Sequence, residues 1–162
     1  LKKRKVSIIT NPGSNAKLAS GIAPIKTYLE DGINIAIGTD GPSSNNCLDM
    51  FREMFLVAAL NNLLEKDASA VSAKDILQMS TVNSAHAMGL VDADILAQGK
   101  LADIIMIDLQ QPNMQPIHNI VNNLVFSGSK INVKMTMING KILYENQKFF
   151  VGMEPEEIYE KC

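Results

Sequence analysis

Two short apolar runs, Val6 to Ile9 and Ile33 to Ile37, stand either side of one helix-length segment, and this arrangement constrains the fold more than any other feature of the chain. The first run is closed by Thr10-Asn11-Pro12-Gly13-Ser14-Asn15, the profile of a buried strand feeding a turn. Pro24 then suits a first helical turn, Ile25, Tyr28 and Leu29 share a face, and Gly32 can end the helix in a left-handed conformation. The second run follows at once and leads into Gly38-Thr39-Asp40-Gly41-Pro42. Strand, helix and strand with short connections make a βαβ unit, whose crossover implies parallel strands.

From Leu48 to about Lys66, Phe51, Met54, Phe55, Ala58 and Ala59 recur at helical steps, with Arg52, Glu53, Asn61 and Asn62 on the other, polar side. Met50, Met54 and the phenylalanines read as core packing. Ser72, with Asp75 three residues on, marks the start of a further helix, and Gly89 its stop. Beyond Leu90 the character turns β-rich, with strands expected at Ile104 to Ile107, Ile120 to Phe126, Val133 to Ile138 and Lys141 to Glu145. Asn139-Gly140 between the last two is a strong hairpin signal, because both central residues of such a turn need positive φ. A short helix is expected near Pro155.

A chain of 162 residues with 46% hydrophobic and 20% charged residues has enough apolar material for a core, and its formal charge of -2 gives no field that would recruit nucleic acid or an anionic membrane. A small-molecule ligand fits better. Cys47 and Cys162 are far apart and form neither a disulfide framework nor a metal clip, so a cytoplasmic setting is expected. The basic start, Lys2 to Lys5, reads as a solvated helix end; it precedes too few apolar residues for a signal peptide, and no run approaches the ~20 apolar residues of a membrane span. Because the chain opens on Leu1 rather than Met, a segment of a longer protein is expected.

In parallel α/β folds, polar residues just past a strand's C-terminal end face the ligand crevice. Thr10-Asn11-Pro12 and Thr39-Asp40-Gly41 both hold such positions, and Asp40 is the sharper candidate. A buried carboxylate there needs a cation or several donors to offset its charge, and a divalent metal would serve. On position alone, an Asx-turn or N-cap role for Asp40 stands beside that reading. His86 and His118 lack convergent partners and are not expected to bind metal.

The string Asn11-Pro12-x-Ser14-Asn15-x-Lys17-Leu18-Ala19-Ser20-Gly21-Ile22-Ala23-Pro24, then Gly38-Thr39-Asp40-Gly41-x-x-Ser44-Asn45-Asn46 and Leu48-Asp49-Met50-Phe51, resembles the last two barrel strands of the amidohydrolase superfamily. More narrowly, it is similar to the 5-methylthioadenosine/S-adenosylhomocysteine deaminase branch, close to the triazine chlorohydrolases. Gly99-Lys100-x-Ala102-Asp103-Ile104-Ile105 and Val133 to Gly140 resemble that family's small β-sandwich. The resemblance implies the C-terminal part of a (β/α)8 TIM barrel over residues 1–92, part of a β-sandwich over 93–150 and a tail over 151–162. It also implies that Asp40 ligates a divalent metal, zinc above all, and takes a proton from the attacking water, with Ser44, Asn45, Asn11 and Thr10 lining the substrate pocket. The substrate implied is a purine nucleoside that loses its amino group. The family's His-x-His, its two further histidines and its catalytic Glu have no counterpart here. A chlorohydrolase, a deaminase of guanine or another ring, and an inert folding or oligomerisation module are the alternatives. Two barrel strands without neighbours leave an open edge, so a homo-oligomer is expected.

Overall fold

The computed structural model describes residues 2–161; Leu1 and Cys162 lie outside the described residues. Strands β1 (Ile8–Thr10) and β2 (Ile35–Ile37) pair in parallel, with Ile8 opposite Ile35, Ile9 opposite Ala36 and Thr10 opposite Ile37. The βαβ unit is therefore present, with β1 shifted toward Thr10. Between the strands lie α1 (Pro12–Lys17) and α2 (Ile25–Glu30). The first of these replaces the expected turn. Asn11 and Pro12 occupy its N-cap and N1 positions, where a missing N–H and a fixed φ cost nothing. Gly32, at φ 64°, ends α2 as expected.

Helix α3 (Met50–Glu65) starts on Asp49, whose side chain accepts the Phe51 N–H. Its inward face is rotated from the one the sequence suggested. Phe51, Glu53, Met54, Val57, Ala58 and Asn61 are buried, whereas Phe55 is 46% exposed. Asn61 is drawn in because its Oδ1 accepts the Ile25 N–H at 3.1 Å, satisfying a backbone donor at the start of α2. The helix expected from Ser72 to Gly89 is two, α4 (Ala73–Ser80) and α5 (Val82–Ala87), broken at Thr81, whose backbone leaves the helical region at φ −124°, ψ −96°. Ser72 caps α4 by accepting the Asp75 N–H.

A four-stranded antiparallel sheet follows in the order β3 (Ile104–Ile107), β4 (Val133–Ile138), β5 (Lys141–Glu145), β6 (Lys148–Phe149). Asn139 and Gly140 turn the β4–β5 hairpin with both φ values positive, 48° and 76°. Residues Ile120–Phe126, expected as a strand, form α6. Their β-branched content favoured a strand, but Asn119 accepts the Asn122 N–H as an N-cap, and Val121, Leu124 and Val125 fall on one helical face. That face packs on the same core as β2, α3 and α4, in which Ile35, Ile76 and Met79 are fully buried. A short helix α7 (Pro155–Tyr159) ends the described chain. No helix among the described residues is long and apolar enough to cross a membrane.

His86 lies exposed on α5, and its Nε2 stands 3.0 Å from Asp94, which also pairs with Lys100 at 2.8 Å. Lys100 first and His86 second hold the Asp94 carboxyl well below its ordinary 3.8, at about 2. A depressed folded pKa contributes stability above the unfolded value and loses it as pH falls through the folded one. The Asp94 contribution should thus be full above about pH 4 and fade toward about pH 2. Thermal midpoints measured across that window should fall less steeply in Asp94→Asn than in the parent sequence. Parallel curves would mean that the pair does not act on stability.

Candidate active site

Strand alternation sorts the residues at the C-terminal ends of β1 and β2 onto two faces. A Cβ on Gly38 would meet Asn11 Oδ1 at 2.5 Å and Ile9 Cγ2 at 3.3 Å, so Ile9, Asn11 and Gly38 share one face, and Asp40 follows two residues on. Thr10 takes the other. It is 5% exposed and lines a small void with Val57 and Asn61 of α3.

Asp40 is exposed and holds φ 61°, a left-handed conformation that Asp tolerates better than most residues. The burial expected of its carboxylate is absent, and its charge is met by donors instead. Oδ2 accepts the Ser14 hydroxyl at 2.6 Å and the Ser44 hydroxyl at 2.7 Å; Oδ1 accepts the Gly41 N–H at 2.8 Å. These bonds, Ser14 first, then Ser44 and then Gly41, lower the pKa below 3.8 and keep the group ionised at neutral pH. With two hydroxyls on Oδ2, the free acceptor capacity is on Oδ1.

Helix α1, unseen in the sequence, makes this possible. Ser14 and Lys17 lie three residues apart on it and both reach the loop after β2, Lys17 donating to the Ser43 carbonyl at 2.9 Å and to Asn46 Oδ1 at 2.6 Å. Asn45 is only 3% exposed. Its Nδ2 donates to Glu53 Oε1 at 2.7 Å and its Oδ1 accepts the Cys47 N–H at 3.2 Å. Glu53 Oε2 accepts the Gly13 N–H at 2.7 Å. The sequence reading placed Glu53 on a solvent face and so missed it. The available signal was its spacing of four and eight residues from Val57 and Asn61, which puts all three on one helical face.

Among the described residues, no three His, Cys, Asp or Glu side chains converge on a point where a metal could sit. The chain's donor set fits one corner of a divalent-cation site, an ionised carboxylate oxygen with spare acceptor capacity. His118 is exposed in the segment before α6.

Parallel strands joined through helices, with a carboxylate just past their C-terminal ends, make this half of the chain a piece of an α/β fold of the kind that binds ligands at that end. The chain belongs to the amidohydrolase family, whose model matches residues 1–143. It is 47% identical over 150 residues to a 5-methylthioadenosine/S-adenosylhomocysteine deaminase from Thermoanaerobacter pseudethanolicus, covering 91% of this chain and 35% of that protein. It is 42% identical over 160 residues to a 5′-deoxyadenosine deaminase from Methanosphaera stadtmanae, covering 99% of this chain and 37% of the relative. The crystal structure of an adenosine deaminase from Xanthomonas campestris with bound zinc superposes with a TM-score of 0.94 at 34% identity, over 99% of this chain and 36% of that one. The chain therefore spans about a third of the length of its relatives, and its fold is that of the C-terminal part of the family's TIM barrel with its small β unit.

Proposed function

We propose that the whole protein is a metal-dependent hydrolase that deaminates an adenosine-type nucleoside, with 5′-methylthioadenosine and S-adenosylhomocysteine as the leading substrates. The observation that carries this reading is the Asp40 network, an ionised carboxylate at the barrel mouth with one oxygen held by two serines and the other left with acceptor capacity. The likeness to deaminases of this substrate class and to a zinc-containing structure supports the substrate and the metal.

Asp40 serves as one ligand of the cation and as the acceptor of a proton from the attacking water. A divalent cation held there, zinc first among candidates, would make a water acidic enough to supply hydroxide near neutral pH. Water adds at C6 of the purine, the bond from C6 to the amino nitrogen breaks, and ammonia leaves with the proton that water gave up, so the ring ends as the 6-oxo product. Ser14 and Ser44 fix the carboxylate so that Oδ1 rather than Oδ2 is free to react. Asn11 shares the Gly38 face at the strand ends and offers an amide to the substrate. Asn45 acts from behind, by holding the loop that carries Ser44. The free Cys47 thiol suits a reducing cytoplasm.

The test is ammonia release by the full-length protein, metal-stripped and then reloaded with zinc, on 5′-methylthioadenosine, S-adenosylhomocysteine and 5′-deoxyadenosine. Activity should vanish on stripping and return on loading. Release from none of these nucleosides by the zinc-loaded protein would sink the reading.

A further inference from the structure

We propose that Glu53 is the positioning residue of this site: a fully buried carboxylate that joins Gly13 to Asn45 and so sets the Ser14 and Ser44 hydroxyls on Asp40. The inference rests on the role given to Asp40 above, and it assigns the arrangement of that group to a residue remote from the pocket.

Glu53 is 0% exposed, and no basic side chain lies within ion-pairing distance of it among the described residues. A carboxylate in such a place is costly unless every oxygen is engaged, and an apolar side chain of similar volume would often stabilise a core more. Its two oxygens each accept one N–H, from the Gly13 backbone and from Asn45 Nδ2, both at 2.7 Å. Its place in the first turn of α3 adds the favourable field of a helix N-terminus.

The two partners are what give the contact its meaning. Gly13 directly precedes Ser14 and Asn45 directly follows Ser44, the two residues whose hydroxyls meet on Asp40 Oδ2. One buried side chain thus ties the start of α1 and the loop after β2 to each other. Gly13 is fitted to this contact. A Cβ there would overlap Glu53 Oε1 and stand 2.9 Å from Asn45 Nδ2. Lys17 ties the same two segments from the solvent side, but its bonds go to Ser43 and Asn46, which flank the Ser44 and Asn45 pair rather than belong to it.

Glu53→Gln in the full-length enzyme keeps the shape and turns one acceptor into a donor, which must then face the Gly13 N–H or Asn45 Nδ2. The kcat for ammonia release should fall about tenfold or more, with KM changed less than about threefold, the pattern of a lost transition-state interaction. Adding Asn45→Asp should return most of the lost kcat, because a carboxylate at position 45 accepts from the new amide nitrogen at position 53, while the amide oxygen keeps the Gly13 N–H. Ile76→Ala, a core variant away from the loop, serves as the destabilised control and should keep its kcat well below its melting temperature. A crystal structure of Glu53→Gln reads the placement without reference to activity, and at least one of the two serine hydroxyls should have left Asp40. The proposal is overturned by a parental kcat in Glu53→Gln, by an equal loss in the Ile76 control, by a double variant no better than the single one, or by both serines still bonded to Asp40. An inactive parent enzyme would overturn the deaminase reading instead, and the crystal structure would still decide the role of Glu53.

Discussion

Asp40→Asn in the full-length, zinc-loaded protein should lower the rate of ammonia release by about 10²- to 10⁴-fold, the range for loss of a positioned proton acceptor. Asn matches Asp in size and can keep the left-handed backbone at this position. The serine hydroxyls can rotate to accept from its amide, so the loop need not move. The side chain is exposed, and the variant should unfold at nearly the parental temperature. What is lost is charge at Oδ1, and with it both the pull on a cation and the ability to take a proton. Two measurements separate these losses: zinc bound per protein, and the rate at saturating zinc. A variant that keeps the parental rate would remove Asp40 from the chemistry altogether.

The β4–β5 hairpin and the Ser72 cap were legible in the sequence because each rests on local chemistry, and the parallel pairing of β1 and β2 because a short strand-helix-strand crossover leaves few topologies. Asn139-Gly140 needs no neighbour to demand positive φ, and Ser72 reaches its own helix. The place of Asp40 just past β2 was legible for the same reason, with turn residues behind it. Features decided by tertiary contacts were not. Ile120–Phe126 carries β-branched residues whose preference is overridden once Val125 is buried against α3 and α4. Glu53 and Asn61 looked like solvent-facing residues because polarity was taken as exposure, and only the partners Gly13, Asn45 and Ile25 make their burial tolerable. Thr10 and Asn11 are adjacent in sequence, and one residue of strand register decides which of them shares the Gly38 face.

Ile76→Ala should destabilise the protein by about 2–5 kcal/mol, and Ile76→Val by about 0.5–1.5 kcal/mol. Ile76 is 0% exposed in a cluster with Ile35 and Ile37 of β2, Phe51, Met54 and Val57 of α3, Met79 of α4 and Val125 of α6. Elements on several sides of α4 thus pack into the one core that holds this side chain, which limits how far any of them can close over a cavity. Collapse is further limited at both ends of α4, by the Ser72 cap and by the Thr81 break, which fix where the helix begins and stops. The cost should therefore sit toward the upper part of the range, read as a shift in urea midpoint at unchanged slope. Catalysis should respond differently. The chain of bonds from Glu53 through Gly13 and Asn45 to Ser14, Ser44 and Asp40 includes no member of the Ile76 cluster, so kcat at low temperature should stay near the parental value. A loss of kcat in step with stability would show that the barrel mouth and the core move as one. A cost below about 1 kcal/mol would mean that the core can relax around α4, against the packing that carries β2 and its loop.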